Sequence, residues 1–194
     1  MKRIAIFCGA SIGYDKVYAE QAKALGRFLA GKNIEIVFGG GKFGMMGAIA
    51  DATLEAGGKV IGVMPDFLKL DEIEHTGVQE MIISKNMSER KVIISKMVDA
   101  YIALPGGFGT LDEVIEVLTL GQLLIEQKPV ALLNTKGFFN HLIAQFDHMV
   151  NEGFLKPENR AMVLVDDSIE KLFQKMEKYQ APKVSKIVHT VASK

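Results

Sequence analysis

Two charged residues, Arg90 and Glu113, carry the chemistry this chain could do. Glu113 closes the segment Pro-Gly-Gly-Phe-Gly-Thr-Leu-Asp-Glu at 105–113, and Arg90 lies upstream in Met-Ser-Glu-Arg-Lys at 87–91. A carboxylate beside a phosphate-binding turn can hold a ribose hydroxyl or a water. An arginine can clamp a phosphate through two parallel hydrogen bonds, or keep a nearby carboxylate ionised. Breaking a glycosidic bond needs a group that stabilises an oxocarbenium-like sugar and a positioned water. That rule is drawn from oxygen-linked sugars and extends to a ribose–base bond by analogy. A plainer reading stands beside it. Thr110 and Glu113 have the T-x-x-E spacing of a helix capping box, which would tie Glu113 to the backbone of Thr110. Arg90 and Lys91 could equally sit on a solvated helix face.

The partners for such chemistry are glycine-rich turns. Cys-Gly-Ala-Ser at 8–11, the run Gly39-Gly40-Gly41-Lys42-Phe43-Gly44, and Pro105-Gly106-Gly107-Phe108-Gly109-Thr110 each follow an apolar stretch. Glycine lets backbone N–H groups approach a phosphate with no Cβ in the way, and a helix starting after the turn adds its partial positive charge. One such turn can be merely a tight connection. Three at equivalent strand ends point to a phosphate or nucleotide crevice. The middle run contains G-x-G-x-x-G, but the acidic residue that a dinucleotide fold wants is badly placed, since Asp66 comes directly after Pro65. Lys42 is not followed by Ser or Thr, so no Walker A sequence is present.

Positioning these turns falls to alternating elements. Near-continuous apolar runs at 4–8, 34–38, 59–63, 100–104, 130–133 and 162–165 read as buried parallel strands, with a further short strand possible at 78–83. Between them, residues 14–30, 44–56, 88–98, 110–125, 137–151 and 168–179 read as helices. In the fourth, Leu111, Val114, Ile115 and Leu118 fall on helical spacing. This alternation predicts a doubly wound α/β fold, a mainly parallel sheet with helices on both faces. Its length of 194 residues suits one domain. Residues 1–181 are expected to form it, with a tail at 182–194.

Composition narrows the function class. Lysine plus arginine and aspartate plus glutamate both number 23, so a strongly basic surface for nucleic acid is not expected. The single cysteine, Cys8, excludes a disulfide framework and suits a reducing cytoplasm, and it reads as a buried thiol rather than a nucleophile. No run approaches the roughly 18 apolar residues of a membrane span. The four histidines lack metal-ligand grouping, and Met45, Met46, Met87 and Met97 read as packing residues, with Met87 a possible wall of a base pocket.

In this order and spacing the segments CGAS, FGGGKFGMMG, MSERK and PGGFGTLDE resemble the Lonely Guy (LOG) family, often labelled lysine decarboxylases. The resemblance runs over residues 2–179. It implies a Rossmann-like fold, usually homodimeric, that hydrolyses a nucleoside 5'-monophosphate, AMP-like and of the cytokinin type, to free base and ribose 5-phosphate without metal or redox cofactor. It places the catalytic pair on Arg90 and Glu113. It places substrate contacts on Glu72, Lys91, Gly107, Phe108, Gly109, Thr110, Leu111, Asp112 and Thr119, beside the turn residues Gly39, Gly40, Gly41, Gly44 and Gly106. Asp112, where many members carry Glu, and Ser88, where plant members typically carry His, depart from the pattern and bear on base preference. The motifs fit cytokinin activation and simple purine nucleotide salvage alike. A non-catalytic nucleotide-binding module would need only the turns. A pyridoxal-dependent decarboxylase would need a Schiff-base lysine that nothing in the sequence marks.

Overall fold

The computed structural model describes residues 1–69 and 73–182. Glu72 and the expected tail from residue 183 onward lie outside the described residues. Among the described residues, seven strands form one sheet: β1 (Arg3–Phe7), β2 (Glu35–Phe38), β3 (Val60–Pro65), β4 (Glu80–Ser84), β5 (Ala100–Ala103), β6 (Val130–Leu133) and β7 (Val163–Asp166). Their order is β4-β3-β2-β1-β5-β6-β7, and every neighbouring pair is parallel. The stretch read as a possible strand at 78–83 is the edge strand β4. Its signal is weak because Gln79 and Glu80 break the apolar run and only Ser84 of the strand is fully buried.

The sheet is buried on both faces, and β1 shows how. Ile4 and Ile6 enter one apolar cluster while Ala5 and Phe7 enter the other, the period-two alternation of a strand. Helices α1 (Lys16–Gly31), α2 (Gly44–Glu55) and α7 (Ile169–Glu177) cover the first face through Leu25, Ile49 and Leu172. Helices α3 (Met87–Met97), α4 (Phe108–Gln122) and α5 (Asn140–Asn151) cover the second through Ile94, Val114 and Phe146. The short α6 (Pro157–Arg160) precedes β7. Side-chain caps set three helix starts: Asp15 accepts from Val17 N–H, Asn86 from Glu89 N–H, and Ser168 from Lys171 N–H, each satisfying an otherwise orphaned amide. The stretch expected as one helix over 137–151 is divided. Lys136 and Gly137 adopt positive φ in a 3-10 turn, Thr135–Gly137, and the α-helix begins only at Asn140.

Candidate active site

β1 and β5 lie side by side, and the chain leaves them in opposite directions, toward β4 on one side and β7 on the other. Loops at such a switch point diverge and open a crevice beyond the carboxyl ends of the strands. Gly9, just past β1, laces the three glycine turns together. Its N–H donates to the Pro105 carbonyl at 3.1 Å, and its own carbonyl accepts from Met45 N–H at 3.1 Å. Gly44 can start α2 there because its φ is +64°, and a Cβ at this position would stand 2.1 Å from the Ala10 carbonyl oxygen.

Over this junction lies a cavity of about 510 Å³, within the roughly 300–1,000 Å³ of small-molecule sites. Gly106, Gly107, Gly109 and Thr110 form one wall and the turn after β1 another. Met45, Met46 and Met87 contribute apolar surface, as do Tyr18 and Phe138, which meet edge to face with ring centroids 6.0 Å apart. Arg90 and Glu113 complete the lining.

α4 starts earlier than its capping-box spacing suggests. Gly107 is the N-cap, with no side chain to bond, and Leu111 N–H donates to its carbonyl at 3.2 Å. Thr110 therefore lies inside the first turn, and its hydroxyl packs against Gly106, where a Cβ would sit 2.1 Å from Oγ1. The capping box does not form. Glu113 is free of the helix terminus, and the first amides of α4, which have no intrahelical acceptor, border the cavity.

Glu113 is buried, and its Oε1 lies 3.0 Å from Arg90 Nη2. No N–H points along that line, so Oε1 takes no formed hydrogen bond and the contact is a charge pair. The guanidinium is held elsewhere: Nε donates to the Val63 carbonyl at the end of β3 at 3.0 Å, and Nη1 meets Met87 Sδ at 3.7 Å. Burial pushes the Glu113 carboxyl up to about 7. Arg90 opposes this, Asp112 adds to it, Lys91 opposes and Glu116 adds. A carboxyl poised near neutrality inside a cleft is the electrostatic signature of functional acids and bases. Cys8 is buried beside it. Desolvation, with the charge of Glu113, pushes its thiol well above the usual range against the pull of Arg90, which fits the buried thiol expected.

The other expected residues divide by helix face. Lys91 lies between α3 and α4, its Nζ 3.0 Å from Asp112 Oδ2 and also paired with Glu116. The bond to Glu116, ahead of the cost of burial and the bond to Asp112, raises its pKa. Phe108 and Thr119 are exposed and Leu111 half-buried. None of the three lines the cavity: Leu111 packs against the second apolar cluster, and the Thr119 hydroxyl donates back to the Ile115 carbonyl at 2.7 Å. Gly39, Gly40, Gly41 and Gly44 stand behind the lining rather than in it. Their turn is already tied down, with Gly40 O accepting from His75 N–H and Lys42 N–H donating to Ile73 O, both at 2.9 Å. Tyr18 and Phe138 escape a reading based on glycine turns. Phe138 follows β6, so a survey of every strand's carboxyl end would have found it.

Fold and site together define a doubly wound α/β protein with a ligand-sized crevice at its switch point. The family model described as "possible lysine decarboxylase" matches residues 46–176. The cytokinin riboside 5'-monophosphate phosphoribohydrolase LOG1 of Arabidopsis thaliana is 44% identical over 178 residues, 92% of this chain and 84% of that protein. The probable cytokinin riboside 5'-monophosphate phosphoribohydrolase LOGL2 of Oryza sativa subsp. japonica is 41% identical over 187 residues, 96% of this chain and 76% of that protein. The molybdenum cofactor binding protein of Rippkaea orientalis shares the fold, with a TM-score of 0.69 at 24% identity over 91% of this chain and 95% of that one. The chain belongs to the LOG family, the family whose model carries the decarboxylase description. The residues do not fit a pyridoxal decarboxylase. A Schiff base needs a lysine amine, none of the described residues lining the cavity is a lysine, and Lys91 is held by two carboxylates.

Proposed function

We propose that this chain hydrolyses the N-glycosidic bond of a purine nucleoside 5'-monophosphate, N6-substituted as in the cytokinin ribosides its relatives are named for, releasing free base and ribose 5-phosphate. The observation that carries this reading is the buried Arg90–Glu113 contact of 3.0 Å on a cavity bordered by the N-terminal amides of α4. The 5'-phosphate sits at the amides of Gly107, Gly109 and Thr110, which border the cavity and where the helix dipole favours an anion. Glu113, in its ionised form, faces the ribose and stabilises positive charge growing at the anomeric carbon. Arg90 faces that carboxylate and favours its ionised form against the cost of burial. Water adds its oxygen to that carbon as the bond to the base nitrogen breaks, and the water proton leaves with the base. The reaction requires no metal or redox cofactor.

The enzyme acts as a homodimer in the cytoplasm, where a lone reduced thiol such as Cys8 is at home. Phe108, Ile115 and Thr119 follow helical spacing along the outer face of α4, with Phe108 93% exposed and Ile115 42%. These residues point away from their own cavity and take part in substrate binding only when a second copy covers this face.

The test is a chromatographic assay of free base released from AMP and from an N6-isopentenyl AMP. Wild type should release base from both, faster from the substituted nucleotide if cytokinin ribosides are the substrate, whereas Glu113→Gln and Arg90→Ala should each be slower by on the order of 10²-fold or more. Tight AMP binding with no base released by wild type would replace this reading with a nucleotide-binding module.

A further inference from the structure

Arg90 can reach Glu113 because position 39 carries no side chain. Gly39 directly follows β2, beside the end of β3 from which Val63 holds Arg90 Nε. A Cβ built on Gly39 would lie 2.5 Å from Arg90 Nη2 and 2.9 Å from Met46 Sδ. Nη2 is the same nitrogen that stands 3.0 Å from Glu113 Oε1. The guanidinium has little room to retreat, since Nε is bonded to the Val63 carbonyl at 3.0 Å and Nη1 rests on Met87 Sδ at 3.7 Å. Backbone conformation does not call for glycine here. Gly40 and Gly44 in the same turn have positive φ, and Gly39 does not, so alanine fits the backbone and collides only with side chains.

We infer that Gly39 is a positioning residue for Arg90: its bare Cα leaves the slot in which Nη2 meets Glu113. This rests on the reading of Arg90 and Glu113 given above. It assigns the first glycine of the run a steric task rather than a phosphate contact, in keeping with its place behind the cavity lining. A methyl group at this position must open the 2.5 Å approach to at least the 3.4 Å at which ordinary contact begins, and the atom in its path is the one that faces the carboxylate. Displacements of this size in a catalytic constellation cost on the order of 10²-fold in rate.

The experiment is steady-state kinetics of Gly39→Ala across pH, with AMP and N6-isopentenyl AMP as substrates. The expected result is a kcat lower by on the order of 10²-fold with a much smaller change in KM. The limb of the profile that follows Glu113 ionisation should move to higher pH, because the carboxylate has lost the cation facing it. Arg90→Lys added to Gly39→Ala should recover part of the rate, since an unbranched ammonium has no Nη2 to collide with the methyl. A wild-type kcat and pH limb in Gly39→Ala would overturn the inference, and so would a double variant no faster than Gly39→Ala. If Gly39→Ala fails to fold, Gly39→Ala/Arg90→Ala must fold as Arg90→Ala does, because the guanidinium is then gone and the Met46 thioether, the other group near the methyl at 2.9 Å, can turn into the space it leaves, and continued misfolding would also overturn it. Failure of the underlying reading looks different: Arg90→Ala and Glu113→Gln would then release base at the wild-type rate.

Discussion

Gly9 and Pro105 are joined by a 3.1 Å hydrogen bond from the glycine N–H to the proline carbonyl. The bond links the loops leaving the two central strands, β1 and β5, so the wall that presents the α4 amides is braced against the first turn of the chain. Gly106 lies at this brace, and it explains why the third turn tolerates no bulk at its second residue.

Gly106→Ala should therefore cost stability as well as activity. The new Cβ would stand 2.1 Å from Thr110 Oγ1 and 2.7 Å from Gly9 N, and the second neighbour is backbone that cannot swing aside. Overpacking of this kind costs about 1–3 kcal/mol. Urea melts should register that loss, and base release should fall with it because the α4 amides shift. Gly107→Ala is the control. No atom lies within 4 Å of a Cβ there, so its melt should stay close to wild type.

Glu113→Gln should stabilise the protein at alkaline pH while slowing turnover by on the order of 10²-fold or more. Burial raises the carboxyl from 4.5 to about 7, so between those values the folded protein holds a proton that the unfolded chain has released. Stability falls as pH rises through that window, and above pH 7 the ionised group costs about 3 kcal/mol. Glutamine resembles the protonated acid and escapes this cost. The variant should match wild type in melts at pH 4 and exceed it at pH 8. A constant difference across pH would mean that Glu113 ionises in the fold as easily as in the unfolded chain.

Most of the architecture is legible in the sequence because a sheet buried on both faces writes itself as apolar runs. Ile4 through Phe7 enter both clusters, and their run of apolar residues reports that burial directly. β4 is faint for the opposite reason, since most of its residues are not buried and Gln79 and Glu80 interrupt its apolar run. Arg90 and Glu113 were legible as a pair only through motif order and family resemblance, since no local periodicity tells that α3 and α4 face each other across the ends of β3 and β5. The start of α4 was misleading in isolation. Thr110 and Glu113 have capping-box spacing, yet Gly107 takes the cap because its extended backbone ends the loop three residues sooner. The Tyr18–Phe138 wall joins the first turn of α1 to the segment after β6, and such a contact leaves no trace in spacing.

Lys91→Met separates two roles for this lysine. Its amine pairs with Asp112 and Glu116, and its charge helps hold the Glu113 carboxyl down. With the ionised carboxylate as the active form, activity rises as pH passes through about 7. Without Lys91, two uncompensated carboxylates face Glu113 and the limb should move to higher pH. A pH-rate profile that shifts while KM at high pH holds would place Lys91 in the electrostatic frame of Glu113. A raised KM at every pH with an unmoved limb would make it a direct substrate contact.

Ile115→Asp tests the outer face of α4. Ile115 lies one helical stripe with Phe108 and Thr119, away from the cavity and 42% exposed, so within one chain a charge there disturbs little packing. Secondary structure and the urea midpoint at low protein concentration should stay near wild type. If a second copy covers this face, burying the new carboxylate without a partner is unfavourable, and light scattering should report a monomer where wild type is a dimer. Base release should then fall through a raised KM, because residues on this stripe reach substrate only across the pair. A variant that scatters as a dimer with unchanged KM would remove α4 from the interface and leave Phe108 and Thr119 without a route to the nucleotide.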